Sequence, residues 1–218
     1  MSDSVTRRTN TDTPPAPHEP RRREPGLTRI ALLRRSVAAG GVVAAGAVLA
    51  GGLSKPAVSQ PSAVQDERVL EWLLQVEQLQ AGFYTEAQRR EALRGELQEF
   101  AELVGEQERA HVAALERALR TPGGNGPAFD FGDATSDPKQ FLAAALEVEE
   151  LALAAVNGQI PNLTKGRILT VMGIASVEAR HVGWLRDLAG RNPAPRPADV
   201  PATQDETRTA IRNTGFTG

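Results

Sequence analysis

Val104-Gly105-Glu106-Gln107-Glu108-Arg109-Ala110-His111-Val112-Ala113-Ala114-Leu115 is the stretch on which the reading of this chain turns. Val104, Glu108, His111 and Leu115 follow one another at intervals of four, three and four residues, so on a helix they share one face. A carboxylate and an imidazole one turn apart on an otherwise apolar face can converge on a single cation. The pattern recurs at Glu178-Ala179-Arg180-His181, which shares its face with Val171, Ile174 and Leu185. A lone glutamate three residues before a histidine means little. With glutamate at 18 of 218 positions, both histidines would carry one there by chance in roughly one chain in a hundred.

The third histidine, His18, lies in a Pro-, Thr-, Arg- and Glu-rich opening of 27 residues whose low apolar content is that of a disordered segment. It has no expected role. The chain contains no cysteine, which excludes disulfides, iron–sulfur clusters, thiolate zinc sites and cysteine nucleophiles. Any metal must therefore be held by oxygen and imidazole. Residues 1–59 carry nine Lys and Arg against four Asp and Glu, whereas residues 60–218 carry sixteen against twenty-three. An acidic domain of this kind is unsuited to phosphate backbones and suited to cations, so no nucleic-acid partner is expected.

Arg34-Arg35-Ser36-Val37, followed by an Ala/Gly/Val run to Leu53, resembles a twin-arginine export signal. Ala57-Val58-Ser59 before Gln60 offers a small-residue cleavage site, and Val48-Leu49-Ala50 offers another. The alternative is an uncleaved anchor, because residues 36–53 form an apolar run of 18. Both readings place the domain outside the cytoplasm, in the periplasm, the cell wall or the extracellular space. Residues 1–59 are thus expected to be tail and signal, 60–190 the folded domain and 191–218 a C-terminal tail. Membrane contact is expected only through the signal.

Ala, Leu, Glu, Gln and Arg dominate residues 66–190 while β-branched and aromatic residues are sparse, which favours an all-α domain. Four amphipathic segments follow, at about 66–89, 96–120, 138–157 and 164–190. Gly95 marks a connection short enough to make the first two antiparallel neighbours. Residues 121–137 hold Pro122, Gly123, Gly124, Gly126 and Pro127 and form a long connection across the end of a bundle. Ser136-Asp137-Pro138 reads as a capped helix start, and Asn157-Gly158 as a stop. The expected architecture is an antiparallel four-helix bundle with one long crossover between its second and third helices. In the tail, a short helical turn is expected around 206–211, and Phe216 is expected to dock on the bundle.

A two-metal carboxylate site in such a bundle draws one glutamate from each of two helices and a Glu-x-x-His pair from each of the others. The first helix offers Glu77, centred among Leu70, Leu73, Leu74, Ala81 and Tyr84, while Glu71 and Glu86 fall off that stripe. The third offers Glu149, among Leu142, Ala145, Leu146, Ala152, Leu153 and Val156, with Glu150 as the alternative. Glu77, Glu108, His111, Glu149, Glu178 and His181 then form a set of four carboxylates and two imidazoles. Such a set suits two iron or manganese ions and leaves open positions for water, O₂ or peroxide. Tyr84, one turn beyond, is either a core tyrosine or a redox relay. Trp72 and Trp184 read as packing or interface residues.

The chain resembles the ferritin-like superfamily, and within it the exported bacterial ferritin-like domain proteins related to desiccation-associated proteins. The resemblance covers about residues 64–190 and takes in the ending Thr214-Gly215-Phe216. It is carried by Leu74-Gln75-Val76-Glu77-Gln78-Leu79-Gln80-Ala81-Gly82-Phe83-Tyr84, by Glu108-Arg109-Ala110-His111-Val112-Ala113-Ala114-Leu115, and by Ile174-Ala175-Ser176-Val177-Glu178-Ala179-Arg180-His181. In the third helix, Glu149 stands nine residues before Gly158 as in the family, but Val156 replaces the usual aromatic. The resemblance implies a ferritin-like bundle and a di-iron-type centre that Glu108 or Glu178 bridges and the histidines cap. It does not imply an iron-storage cage. The expected function is an exported di-metal protein with oxidase, ferroxidase-like or peroxide-consuming chemistry in the cell envelope; self-association as a homodimer stays open. The alternative is a non-catalytic, stress- or desiccation-related structural bundle, in which four buried carboxylates without cations would be expensive.

Overall fold

The computed structural model describes residues 61–121 and 127–217. The N-terminal tail, the twin-arginine-like segment, its cleavage sites and the anchor reading lie outside the described residues. Helix α1 spans Ala63–Arg90, with the Ser62 hydroxyl accepting from the Gln65 amide at its start. Glu91 closes it in the left-handed region at φ 52°. Helix α2, Glu96–Leu119, begins after Gly95, whose φ of 59° and ψ of −138° suit glycine because it has no Cβ. Helix α3, Pro138–Gln159, opens as expected with Asp137 accepting from the Gln140 amide and Pro138 in the first turn. Helix α4 spans Lys165–Leu188. Its first residues are tied to α1, since the Thr164 amide and hydroxyl both donate to the Asp66 carboxylate, at 2.8 and 2.5 Å. Among the described residues, no helix is long and apolar enough to cross a membrane.

Two apolar clusters fix the direction of each helix. One is aromatic and gathers Phe83 and Tyr84 of α1, Phe100 and Val104 of α2, Phe141 and Leu146 of α3, and Val182 and Leu185 of α4. The other is largely aliphatic and gathers Val69, Leu70, Leu73 and Val76 of α1, Leu115 of α2, Ala152, Ala155 and Val156 of α3, and Val171 with Ile174 of α4. Helices α1 and α4 therefore run from the aliphatic to the aromatic end, and α2 and α3 run the other way. Since α2 and α3 are parallel, the connection between them must travel the length of the bundle rather than cross its end. Phe129 and Phe131 in that connection lie against α1, where a Cβ on Gly82 would sit 3.2 Å from the Phe129 ring.

The end of α3 differs from its expected stop at Asn157-Gly158. The helix continues to Gln159 and passes into a 3₁₀ turn, Ile160–Asn162. Gly158 instead marks a crossing: a Cβ there would lie 1.8 Å from the carbonyl oxygen of Ala202, whose amide donates to Ala154 O at 2.9 Å. The tail is also more ordered than a single turn. Helix α5, Gln204–Thr214, carries a reciprocal capping box between Thr203 and Glu206. Phe216 docks beside Phe131 and Phe83, with ring centroids 5.2 and 6.1 Å away. Its carbonyl accepts from the Asp130 amide, and Thr217 forms an antiparallel bridge with Phe129.

Candidate metal centre

Between the two apolar clusters the four long helices each turn polar side chains inward. Glu77 comes from α1, Glu108 and His111 from α2, Glu149 from α3, and Glu178 and His181 from α4. All four glutamates are fully buried, and the histidines are buried at 8 and 3 % exposure. The six form two overlapping groups, Glu77/Glu108/His111/Glu178 and Glu108/Glu149/Glu178/His181, with ligand atoms within 4.8 Å of one another in each. Glu108 and Glu178 belong to both. Glu150 points outward and pairs with Arg186 at 2.8 Å.

Hydrogen bonding alone does not satisfy this cluster. His111 Nδ1 lies 3.1 Å from Glu77, 3.3 Å from Glu108 and 3.2 Å from Glu178; His181 Nδ1 lies 3.1 Å from Glu108 and 3.2 Å from Glu149. One ring nitrogen carries at most one hydrogen, so it cannot serve three carboxylates. Glu77 Oε1, Glu108 Oε1 and Glu178 Oε1 are buried without an aligned partner. Carboxylate oxygens without an aligned donor in an apolar interior are costly. The donor set, hard oxygen with one imidazole in each group, could hold metal cations, whose charge would offset that cost.

The acidities follow from the same crowding. Burial, reinforced by the Glu108 charge, raises Glu77 to about 8. Burial and the charges of Glu108, Glu149 and Glu77 also push Glu178 well up. Burial alone would raise Glu108, but His111 and His181 outweigh it and bring it to about 2. Burial opposes a charged imidazole, yet Glu108, Glu178 and Glu77 hold His111 up at about 12, and Glu108 and Glu149 hold His181 at about 9.

Around the six lie three polar groups. The buried Tyr84 hydroxyl donates to Glu149 Oε1 at 2.6 Å, so it is a core tyrosine with a satisfied hydroxyl that also touches the site. Gln80 Nε2 donates to Glu178 Oε2 at 3.1 Å, and His181 Nε2 meets Gln107 Oε1 at 2.6 Å. Sequence reasoning did not single out either glutamine. Their signal is faint: each is an amide next to, or one turn from, a ligand on an inward face, at Glu108 minus one and Glu77 plus three.

No curated protein matches the chain. Among solved structures, a hypothetical protein from Methanococcus jannaschii matches at 15% identity and a TM-score of 0.49, covering 74% of this chain and 98% of that one. The ferritin-like domain family matches residues 65–191, which is more than half of the chain and includes the four long helices almost entire. The chain thus belongs to the ferritin-like domain family.

Proposed function

We propose that this protein is an exported di-metal carboxylate protein that binds two iron or manganese ions and reacts with O₂ or peroxide in the cell envelope. The observation that carries the metal reading is the convergence of four buried carboxylates on two imidazole Nδ1 atoms, with three of the carboxylate oxygens lacking an aligned hydrogen-bond donor. Two redox-active ions at this place would supply electrons for reducing O₂ or peroxide, with ferrous iron itself a candidate substrate.

The chain's own residues have definable parts. Glu108 and Glu178, common to both groups, would be the carboxylates that two ions share. Glu77 with His111, and Glu149 with His181, would complete one ion each. The apolar clusters on either side keep bulk water from the centre, which strengthens every charge interaction inside it. Tyr84 holds one Glu149 oxygen through its hydroxyl proton and leaves the other facing His181. Export is supported by the arginine pair and the apolar run at residues 34–53.

The test is elemental analysis of protein purified without chelator, beside a His111→Ala/His181→Ala variant. About two iron or manganese atoms per chain, absent from the folded variant, are expected. An intact fold with no metal in either protein would overturn the reading and favour a purely structural bundle.

A further inference from the structure

The two ligand groups are internally matched, Glu77 with Glu149 and Glu108/His111 with Glu178/His181, but the polar groups around them are not. Seven residues after Glu77 stands Tyr84, and seven after Glu149 stands Val156. Three after Glu77 stands Gln80, and three after Glu149 stands Ala152; one before Glu108 stands Gln107, and one before Glu178 stands Val177. In each comparison only one half of the site carries a polar side chain. All three of those side chains act on the same group: Tyr84 on Glu149, Gln107 on His181, and Gln80 on the shared Glu178. Among the described residues, Glu77 and His111 show no hydrogen bond from outside the six ligands.

We infer that the two ion positions are unequal: the one formed by Glu108, Glu149, Glu178 and His181 fills first and holds its ion more tightly, with Gln107 as its positioning residue. Because Gln107 Oε1 accepts from His181 Nε2–H, the proton that an incoming ion displaces is the one on Nδ1, and the lone pair it exposes is directed into the space between Glu108 and Glu149. That fixes both the tautomer and the ring orientation a metal requires. Tyr84 likewise fixes the Glu149 carboxylate. His111 and Glu77 have no such support, so their ordering must accompany ion binding and weakens it. Outer partners of this kind change metal affinity about 10–100-fold.

This inference rests on the di-metal reading, and one titration separates the two. Metal-free full-length protein is titrated with Mn²⁺, followed by calorimetry and by electron paramagnetic resonance. The first equivalent is expected to bind at least about tenfold more tightly than the second and to give the spectrum of an isolated ion, with a coupled pair appearing only during the second. Gln107→Leu, which keeps the bulk and removes the acceptor, is expected to weaken the first step about tenfold or more. Gln107→Glu, which keeps an acceptor, is expected to retain two separate steps. Tyr84→Phe is expected to weaken the first step as well, and it carries the test if the leucine variant does not fold. Two ions of equal affinity, a coupled spectrum from the first additions, or an unchanged first step in folded Gln107→Leu would overturn the inference while leaving the di-metal reading intact. Binding of no Mn²⁺ would overturn both.

Discussion

Glu77 and Glu108 are the same side chain in the same cavity, yet one is pushed up to about 8 and the other down to about 2. The difference lies in what each oxygen faces. Near neutral pH the metal-free centre keeps protons on Glu77, His111 and His181, whose values of about 8, 12 and 9 all lie above it. Incoming cations must displace those protons, so metal affinity is expected to rise as pH rises from about 6 to 9. Calorimetric titrations in buffers of different ionisation enthalpy should show the release; a pH-independent affinity without proton release would contradict the assignment. The metal-free fold has the opposite trend. Because Glu77 is higher in the folded state than its ordinary 4.5, its contribution to stability is present at low pH and is lost as pH climbs through about 8. Denaturant melts of metal-free protein should therefore weaken between about pH 5 and 9. At the same scale, Glu149→Gln is expected to lose about one ion of two, while Glu150→Gln should leave the metal content unchanged. The reverse pattern would place the ligand at Glu150.

Among the elements, the four long helices were legible because apolar residues recur at helical spacing and the caps are local. Asp137 before Pro138 marks a start with no help from the rest of the molecule. Gly158 shows the limit of that reading. A glycine after fifteen or more helical residues ordinarily signals an end, but here it admits the Ala202 carbonyl against the helix. Gly158→Ala is expected to lower stability by about 1–3 kcal/mol and to loosen the tail. Thermal unfolding and limited proteolysis after residue 200 would register both effects; an alanine variant as stable and resistant as the parent would show that the crossing yields freely. Helix α5 was underestimated because its apolar content is thin. Its capping box, Thr203 with Glu206, was the local signal that marked its true start.

At the scale of the whole molecule, the described residues place a polar centre between two apolar clusters. Cations that bind only the folded state add stability by mass action, about 2.7 kcal/mol for one ion at a hundredfold excess over its Kd. For a domain of this size that corresponds to a Tm increase of roughly 5–10 °C. Manganese should produce it in the parent protein and not in His111→Ala/His181→Ala. Equal melting of both proteins with and without metal would mean that the centre does not hold ions in the folded state.

The pattern of Glu-x-x-His, apolar stripe and cap determined the bundle, the four helices and the faces that carry Glu77, Glu108, His111, Glu178 and His181, because each depends on neighbours within a few positions along one helix. Only the tertiary structure decided that Glu149 rather than Glu150 faces inward, that α2 and α3 run parallel, and that Tyr84, Gln80 and Gln107 reach across to their partners. Those facts depend on how helices rotate and pack against one another. Their contacts join residues 65, 98 and 74 positions apart, distances at which sequence spacing carries no geometric information.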